Sequence, residues 1–161
     1  MTFTDPAAWY ATLATMYGTA AALITDPAGL VLLVKPNYRD HWSLPGGVLE
    51  HGEPPHVGCA REVAEELGLT LPLGGLLTID WVAPEGDRAR PTVAFIFDGG
   101  VVADGSAIVL QESELDAFEF VPPGLTADYL PPHTARRVAA ALRGRATGAP
   151  VYLPQEADGP G

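Results

Sequence analysis

At 161 residues and 47% apolar content, the chain has the length for one domain with a sizeable core, and its composition is not that of a disordered segment. Its 20 Asp+Glu against 9 Lys+Arg leave a net charge of −11, which makes nucleic-acid backbones and anionic membranes unfavourable partners. The single cysteine, Cys59, excludes an intrachain disulfide and a zinc site built on paired cysteines.

The uncharged stretch from Pro6 to Thr25 raises the question of a targeting segment. No Lys or Arg precedes it, and Thr12, Thr15, Thr19, Thr25 and Gly18 dilute its hydrophobicity, so a cytoplasmic protein is expected. Asp5-Pro6 reads as an N-cap followed by a first-turn proline. Trp9, Leu13, Met16 and Tyr17 follow helical spacing up to Gly18, after which Thr19 to Thr25 starts a strand.

Gly29 to Lys35 predicts a buried strand, and Trp42 to Leu49 a short, glycine-broken one. Leu76 to Val82, Thr92 to Asp98 and Phe118 to Val121 read as further strands, with Pro84, Gly86 and Asp87 in the loop between the first two. Thr134 to Arg143 predicts a helix between Pro131-Pro132 and Gly144, with Arg136-Arg137 and Arg143-Arg145 as its polar side and end. The tail 147–161 is Pro/Gly-rich and is expected to be flexible or docked. The order of elements predicts a single α/β domain, a mixed β-sheet between α-helices.

Pro54 to Leu67 predicts the helix that matters most. Its prolines suit a first turn, Glu53 sits near the positive end of the dipole, and Gly68 is placed to end it in a left-handed conformation. Val57, Ala60, Ala64 and Leu67 form a narrow apolar stripe. Glu62, Glu65 and Glu66 lie at i, i+3 and i+4 on another face. Like charges at that spacing cost a helix about 0.2–0.5 kcal/mol per pair, and two of them occupy the last turn, where the dipole disfavours them. A solvated acidic face and a site for a hard, oxygen-seeking divalent cation both fit this pattern.

Gly47, Glu53 and the run Arg61-Glu62-Val63-Ala64-Glu65-Glu66-Leu67-Gly68-Leu69 stand at the spacing of the Nudix box, so the 23 residues from Gly47 to Leu69 resemble the Nudix hydrolase superfamily. Trp42-Ser43-Leu44-Pro45-Gly46-Gly47 is similar to the family's lead into the box. The resemblance implies the Nudix fold and hydrolysis of a small-molecule diphosphate linkage with Mg²⁺ or Mn²⁺. It implies Glu62, Glu65 and Glu66 as metal ligands, the Gly46 carbonyl completing the site, Arg61 and Glu53 orienting the ligands, and Gly47 allowing a tight loop. In the family the general base is either a box glutamate or an acid on a downstream loop; Glu112 and Glu114, ahead of the last strand, are the loop candidates, and Glu114 joins Glu62, Glu65 and Glu66 in the expected catalytic set. Pairing of two copies into a homodimer is compatible with such a chain.

Tyr38, Trp42 and Trp81 are candidate platforms for a flat substrate group, although aromatic residues as often pack in a core. His41 reads as a surface residue that can approach a phosphate. Cys59 takes a small-residue position on the helix and is expected to be packed. Pro84 lies 15 residues after Leu69, a spacing associated with ADP-ribose-type members, but Ala83-Pro84-Glu85-Gly86-Asp87 is also ordinary loop composition. Nucleoside triphosphates, dinucleoside polyphosphates and non-nucleotide diphosphates remain alternatives. A catalytically silent nucleotide-binding sensor domain normally carries a damaged box, and this box is intact. A diphosphate isomerase needs a cysteine in a different place from Cys59.

Overall fold

The computed structural model describes residues 5–154. In chain order they form α1 (Pro6–Tyr10), β1 (Tyr17–Thr25), β2 (Val31–Pro36), β3 (Gly46–Val48), α2 (Pro55–Leu67), β4 (Leu76–Val82), β5 (Thr92–Val101), β6 (Leu115–Val121), α3 (Thr126–Tyr129), α4 (Pro132–Thr147) and β7 (Val151–Pro154). The strands make one mixed sheet in the order β6-β2-β1-β5-β4-β7. β1 runs parallel to β5 and β4 parallel to β7, while β4–β5, β1–β2 and β2–β6 are antiparallel.

Both faces of the central strands are covered, which is why β1 and β2 read as continuous apolar runs. On one face Ala20, Ala22, Ile24, Leu32 and Val34 pack with Cys59, Val63 and Leu67 of α2. On the other, Leu23, Val31, Leu33, Leu77 and Ile96 pack with Val138 and Ala141 of α4. The expected sheet between helices is therefore observed, and alternation along each strand divides the core in two.

One edge of β1 forks. Its beginning pairs with β3 (Thr19↔Val48, Ala20↔Gly47, Ala21↔Gly46), whereas its end pairs with β2 (Thr25↔Val31). The fork brings the start of the box to the middle of the sheet. Gly46 makes the close approach: its φ is +143°, and a Cβ there would stand 2.3 Å from the Ala20 carbonyl oxygen.

Three expectations need correction. The N-terminal helix keeps its Asp5 cap, whose carboxylate accepts the Ala8 N–H at 3.3 Å, but it ends at Tyr10, and Tyr17 and Gly18 already belong to β1. Every residue from 5 to 17 is exposed, so the apolar side chains at helical spacing have nothing to bury against, and burial is what sustains a short helix. The last helix does not stop at Gly144; it continues to Thr147 and ends at Gly148 in the left-handed conformation. Gly144 lies where α4 crosses β4, and a Cβ there would be 2.5 Å from the Leu77 carbonyl oxygen, so that glycine serves packing. The apolar stripe on α2 is also misplaced: Val57, Ala60 and Ala64 are exposed, and the buried residues are Gly58, Cys59, Val63, Glu66 and Leu67.

Part of the tail docks, since Val151–Pro154 adds β7 beside β4, and 155–161 lie outside the described residues. Among the described residues no helix is long and apolar enough to cross a membrane.

Candidate active site

The shifted buried face of α2 turns Glu66 inward. Glu66 is only 6% exposed, and its Oε2 accepts the Gly46 N–H at 2.8 Å. Burial pushes its carboxyl up to about 8; the Gly46 N–H opposes this, while the charges of Glu62, Glu114 and Glu65 add to it. Among the described residues no cationic side chain pairs with Glu66. Glu62, one turn earlier, is likewise raised by burial, with Arg61 pulling it down and Glu65 and Glu114 pushing it up.

Arg61 braces the cluster. Its Nε and Nη2 donate to the two oxygens of Glu53 at 2.9 and 3.0 Å, and Nη1 donates to Glu62 Oε1 at 2.9 Å and Glu65 Oε2 at 3.0 Å. Nη2 also reaches the Val48 carbonyl at 3.3 Å. Glu53 in turn accepts the Glu50 N–H at 2.9 Å, and its carboxyl is held below the usual range, chiefly by Arg61. One guanidinium thus fixes two glutamates against β3, and Glu53 fixes the guanidinium.

Gly47 is not the turn glycine that its sequence context suggests. A Cβ there would stand 2.6 Å from the Glu62 carboxyl, so its bare backbone makes room for that carboxylate, while the unusual φ belongs to Gly46.

These side chains open onto a cleft of about 310 Å³ lined by Gly46, Gly47, Glu62, Glu66 and Glu114 at one end and His133, Thr134 and Arg137 at the other. Tyr38, Arg39, His41 and Trp42 form a wall. Trp42 packs edge-to-face on Tyr129 with ring centroids 5.5 Å apart, which holds it in place, whereas Tyr38 is exposed. Trp81 lies on β4 opposite Val93 and does not line the cleft, so the structure does not bring it to the other two aromatics. Of the two loop acids, Glu114 faces the cleft and Glu112 does not. Cys59 is fully buried, and burial pushes its thiol up to about 12, which leaves it unreactive.

Among the described residues no three His, Cys, Asp or Glu side chains stand close enough together to hold a metal ion as they are placed. Glu62 and Glu65 turn one oxygen each to Arg61, and Glu66 one oxygen to Gly46. The donor chemistry nonetheless fits a hard divalent cation. Two of the carboxylates are substantially buried beside like charges, and burial of such groups is costly without a counter-charge.

The far end of the cleft was missed by sequence reading. Arg136 and Arg137, expected simply on the polar side of the helix, stand in the first turns of α4, with Arg137 Nε 2.7 Å and Arg136 Nη2 3.4 Å from the carboxylate of fully buried Asp80. An acid in the apolar run Leu76–Val82, and a cation pair near the positive end of a helix, were the available signals. Arg145 belongs to a separate network, with Asp98, the Leu23 carbonyl and Thr25.

A mixed sheet between two helices, with an arginine-braced glutamate helix against a glycine-lined strand, defines a Nudix-type hydrolase. The NUDIX domain family model matches residues 16–142, and the chain belongs to the Nudix hydrolase family. A MutT-like protein of Streptomyces ambofaciens is 29% identical over 130 residues, 78% of this chain and 77% of the relative. A putative 8-oxo-dGTP diphosphatase of Bacillus subtilis (strain 168) is 25% identical over 119 residues, covering 74% and 75%. The crystal structure of a MutT protein from Methanosarcina mazei Go1 superposes with a TM-score of 0.65 at 26% identity, covering 84% of this chain and 96% of that one. A UDP-X diphosphatase shares the fold with a TM-score of 0.69 at 21% identity, covering 94% and 76%.

Proposed function

We propose that the protein hydrolyses the diphosphate linkage of a nucleoside diphosphate derivative, using Mg²⁺ or Mn²⁺, by attack of water on phosphorus. The observation that supports this most directly is Glu66: a carboxylate 6% exposed, with no cationic partner among the described residues, beside Glu62, Glu65 and Glu114 at the mouth of a cleft. Glu62, Glu65 and Glu66 would hold the cation, with the Gly46 carbonyl beside them. A bound divalent ion supplies charge neutralisation for the phosphate oxygens and lowers the pKa of water.

The chain's own residues do the rest. Arg61, held by Glu53, keeps Glu62 and Glu65 in place against β3, and the Gly46 N–H keeps Glu66 at the cleft. Glu114, from the loop before β6, stands at the same end of the cleft as the general base, taking the proton of the attacking water. Its place on the cleft lining beside Glu62 and Glu66 suits that role. Trp42, fixed on Tyr129, offers a flat face for the nucleoside base, and Tyr38 can close over it from the rim.

Reaction with Mg²⁺ in ¹⁸O-enriched water tests this. Nucleoside diphosphate derivatives should release a nucleoside monophosphate, with solvent oxygen in a phosphoryl product and none in the organic alcohol. Label on the carbon side would show C–O cleavage and overturn the mechanism.

A further inference from the structure

We propose that the cleft continues past the diphosphate site into a cationic compartment that binds a second anionic group of the substrate, a phosphate monoester or a carboxylate remote from the scissile linkage. This deepens the function proposed above and rests on it for the position of the diphosphate.

A second cavity of about 540 Å³ adjoins the first, and Thr19, His133 and Arg137 line both. Arg88, Arg136 and Arg137 face it, so three of the chain's 9 Lys+Arg gather at one place in a protein of net charge −11. Two acids face it in return. Asp80 is fully buried, and Glu85, at 3.8 Å from Arg88, has an 87% exposed side chain.

A structural role does not use up these cations. Asp80 is neutralised by Arg137, whose Nε lies 2.7 Å from Oδ2. Among the described residues only that one nitrogen of Arg137 is engaged, and Nη1 and Nη2 donate to no acceptor. Arg136 reaches Asp80 only at 3.4 Å, is 47% exposed and lines the cavity. Arg88 gives Nη2 to the Ala83 carbonyl at 2.8 Å, while its Nε is buried without a partner. Guanidinium groups with spare donors in a fixed fork are suited to planar carboxylate and to phosphate oxygens.

His133, at the junction of the two cavities, reports the local field. Burial lowers its pKa first, then Arg137; Asp80 opposes, and His41 and Arg88 lower it further. More positive than negative charge surrounds the ring. The glutamate end would take the metal-bridged diphosphate, and the arginine end a second anion on the same molecule.

The test begins without metal, in chelator, where the glutamate end repels anions. Inorganic phosphate titrated into the labelled protein should shift the His133 ring resonances saturably and raise the His133 pKa. Arg136→Gln keeps Arg137 on Asp80 and should weaken phosphate by about tenfold, the scale of one charge-assisted contact. Arg88→Gln repeats the measurement should the first variant fail to fold. Absence of a saturable shift, or a shift unaltered in the folded variants, overturns the compartment. With Mg²⁺, binding and hydrolysis are then compared for ADP-ribose against its 2′-phosphate and for UDP-glucose against UDP-glucuronate. In at least one pair the member with the extra anion should bind about tenfold more tightly, with the gain in KM rather than kcat and lost in Arg136→Gln. Equal binding within both pairs, with phosphate still bound, would mean a site for a free inorganic anion and overturn the substrate assignment. Tighter binding of the doubly anionic member without hydrolysis would uphold the compartment and remove the hydrolase reading alone.

Discussion

The two ends of the cleft each bury a carboxylate, and they treat it oppositely. Asp80, fully buried at the α4 end, has two arginines on its oxygens. Glu66, 6% exposed at the α2 end, has one backbone N–H and a surround of other glutamates. Ion-paired burial needs nothing further from outside the chain. Burial among like charges leaves a deficit that a proton or a divalent cation must fill. The nearest guanidinium, Arg61, spends its donors on Glu53, Glu62 and Glu65, so it arranges the deficit without cancelling it at Glu66.

The contrast is broken most severely from the Asp80 side. Arg137→Ala leaves a fully buried carboxylate with only the 3.4 Å contact to Arg136, and should cost about 3–5 kcal/mol of stability, read by urea unfolding. A variant as stable as the parent would show that Asp80 does not depend on this pairing. Glu66→Gln should act the other way: turnover falls at least about 100-fold while the fold is retained, and above about pH 8 the metal-free protein gains slight stability, since a buried charge and its repulsions are removed. Near-normal turnover would refute the role given to Glu66.

Two smaller effects sharpen the difference. Millimolar Mg²⁺ or Mn²⁺ should raise the melting temperature by several degrees and chelator should reverse it, about as mass action on a site of moderate affinity allows. Glu66→Gln should blunt that response. A parent protein indifferent to both ions would argue against a divalent site. In metal-free protein the pH dependence should carry the same sign. Glu66 releases its proton at about 8 when folded and near its ordinary 4.5 when unfolded, so folding takes up a proton between those values. Stability should therefore decline as pH rises from about 4.5 to about 8, by no more than about 1.4 kcal/mol per unit from this one group. The decline should be smaller in Glu66→Gln, and parallel pH curves for the two proteins would show that Glu66 is not the group responsible.

Local chemistry made much of the fold legible. The strand from Leu76 to Val82 has the expected bounds because an apolar, β-rich run is closed by Gly74-Gly75 and Ala83-Pro84. The box helix ends at Gly68 with φ +64°, as a glycine after the last apolar position predicts. Where two signals compete, position in the fold chose between them. Gly144 and Gly148 both look like helix ends, and only the approach of α4 to the Leu77 carbonyl assigns the first to packing.

What the sequence determined by itself is the make-up of the charged cluster: Glu53, Arg61, Glu62, Glu65 and Glu66 stand at fixed intervals on or beside one helix, and spacing along a helix is spacing in space. The tertiary structure decided which way that helix faces. The apolar residues at Val57, Ala60 and Ala64 pointed to one face, yet burial of Cys59, Val63 and Leu67 against β1 and β2 turned Glu66 inward. It also decided what else lines the cleft. Trp42, Glu114, His133 and Arg137 come from three separate parts of the chain, and only the forked edge of β1 and the packing of α4 bring them together. Periodicity reports neighbours within one element; which elements meet depends on how the sheet pairs and where each helix finds surface to bury, and no local pattern encodes that.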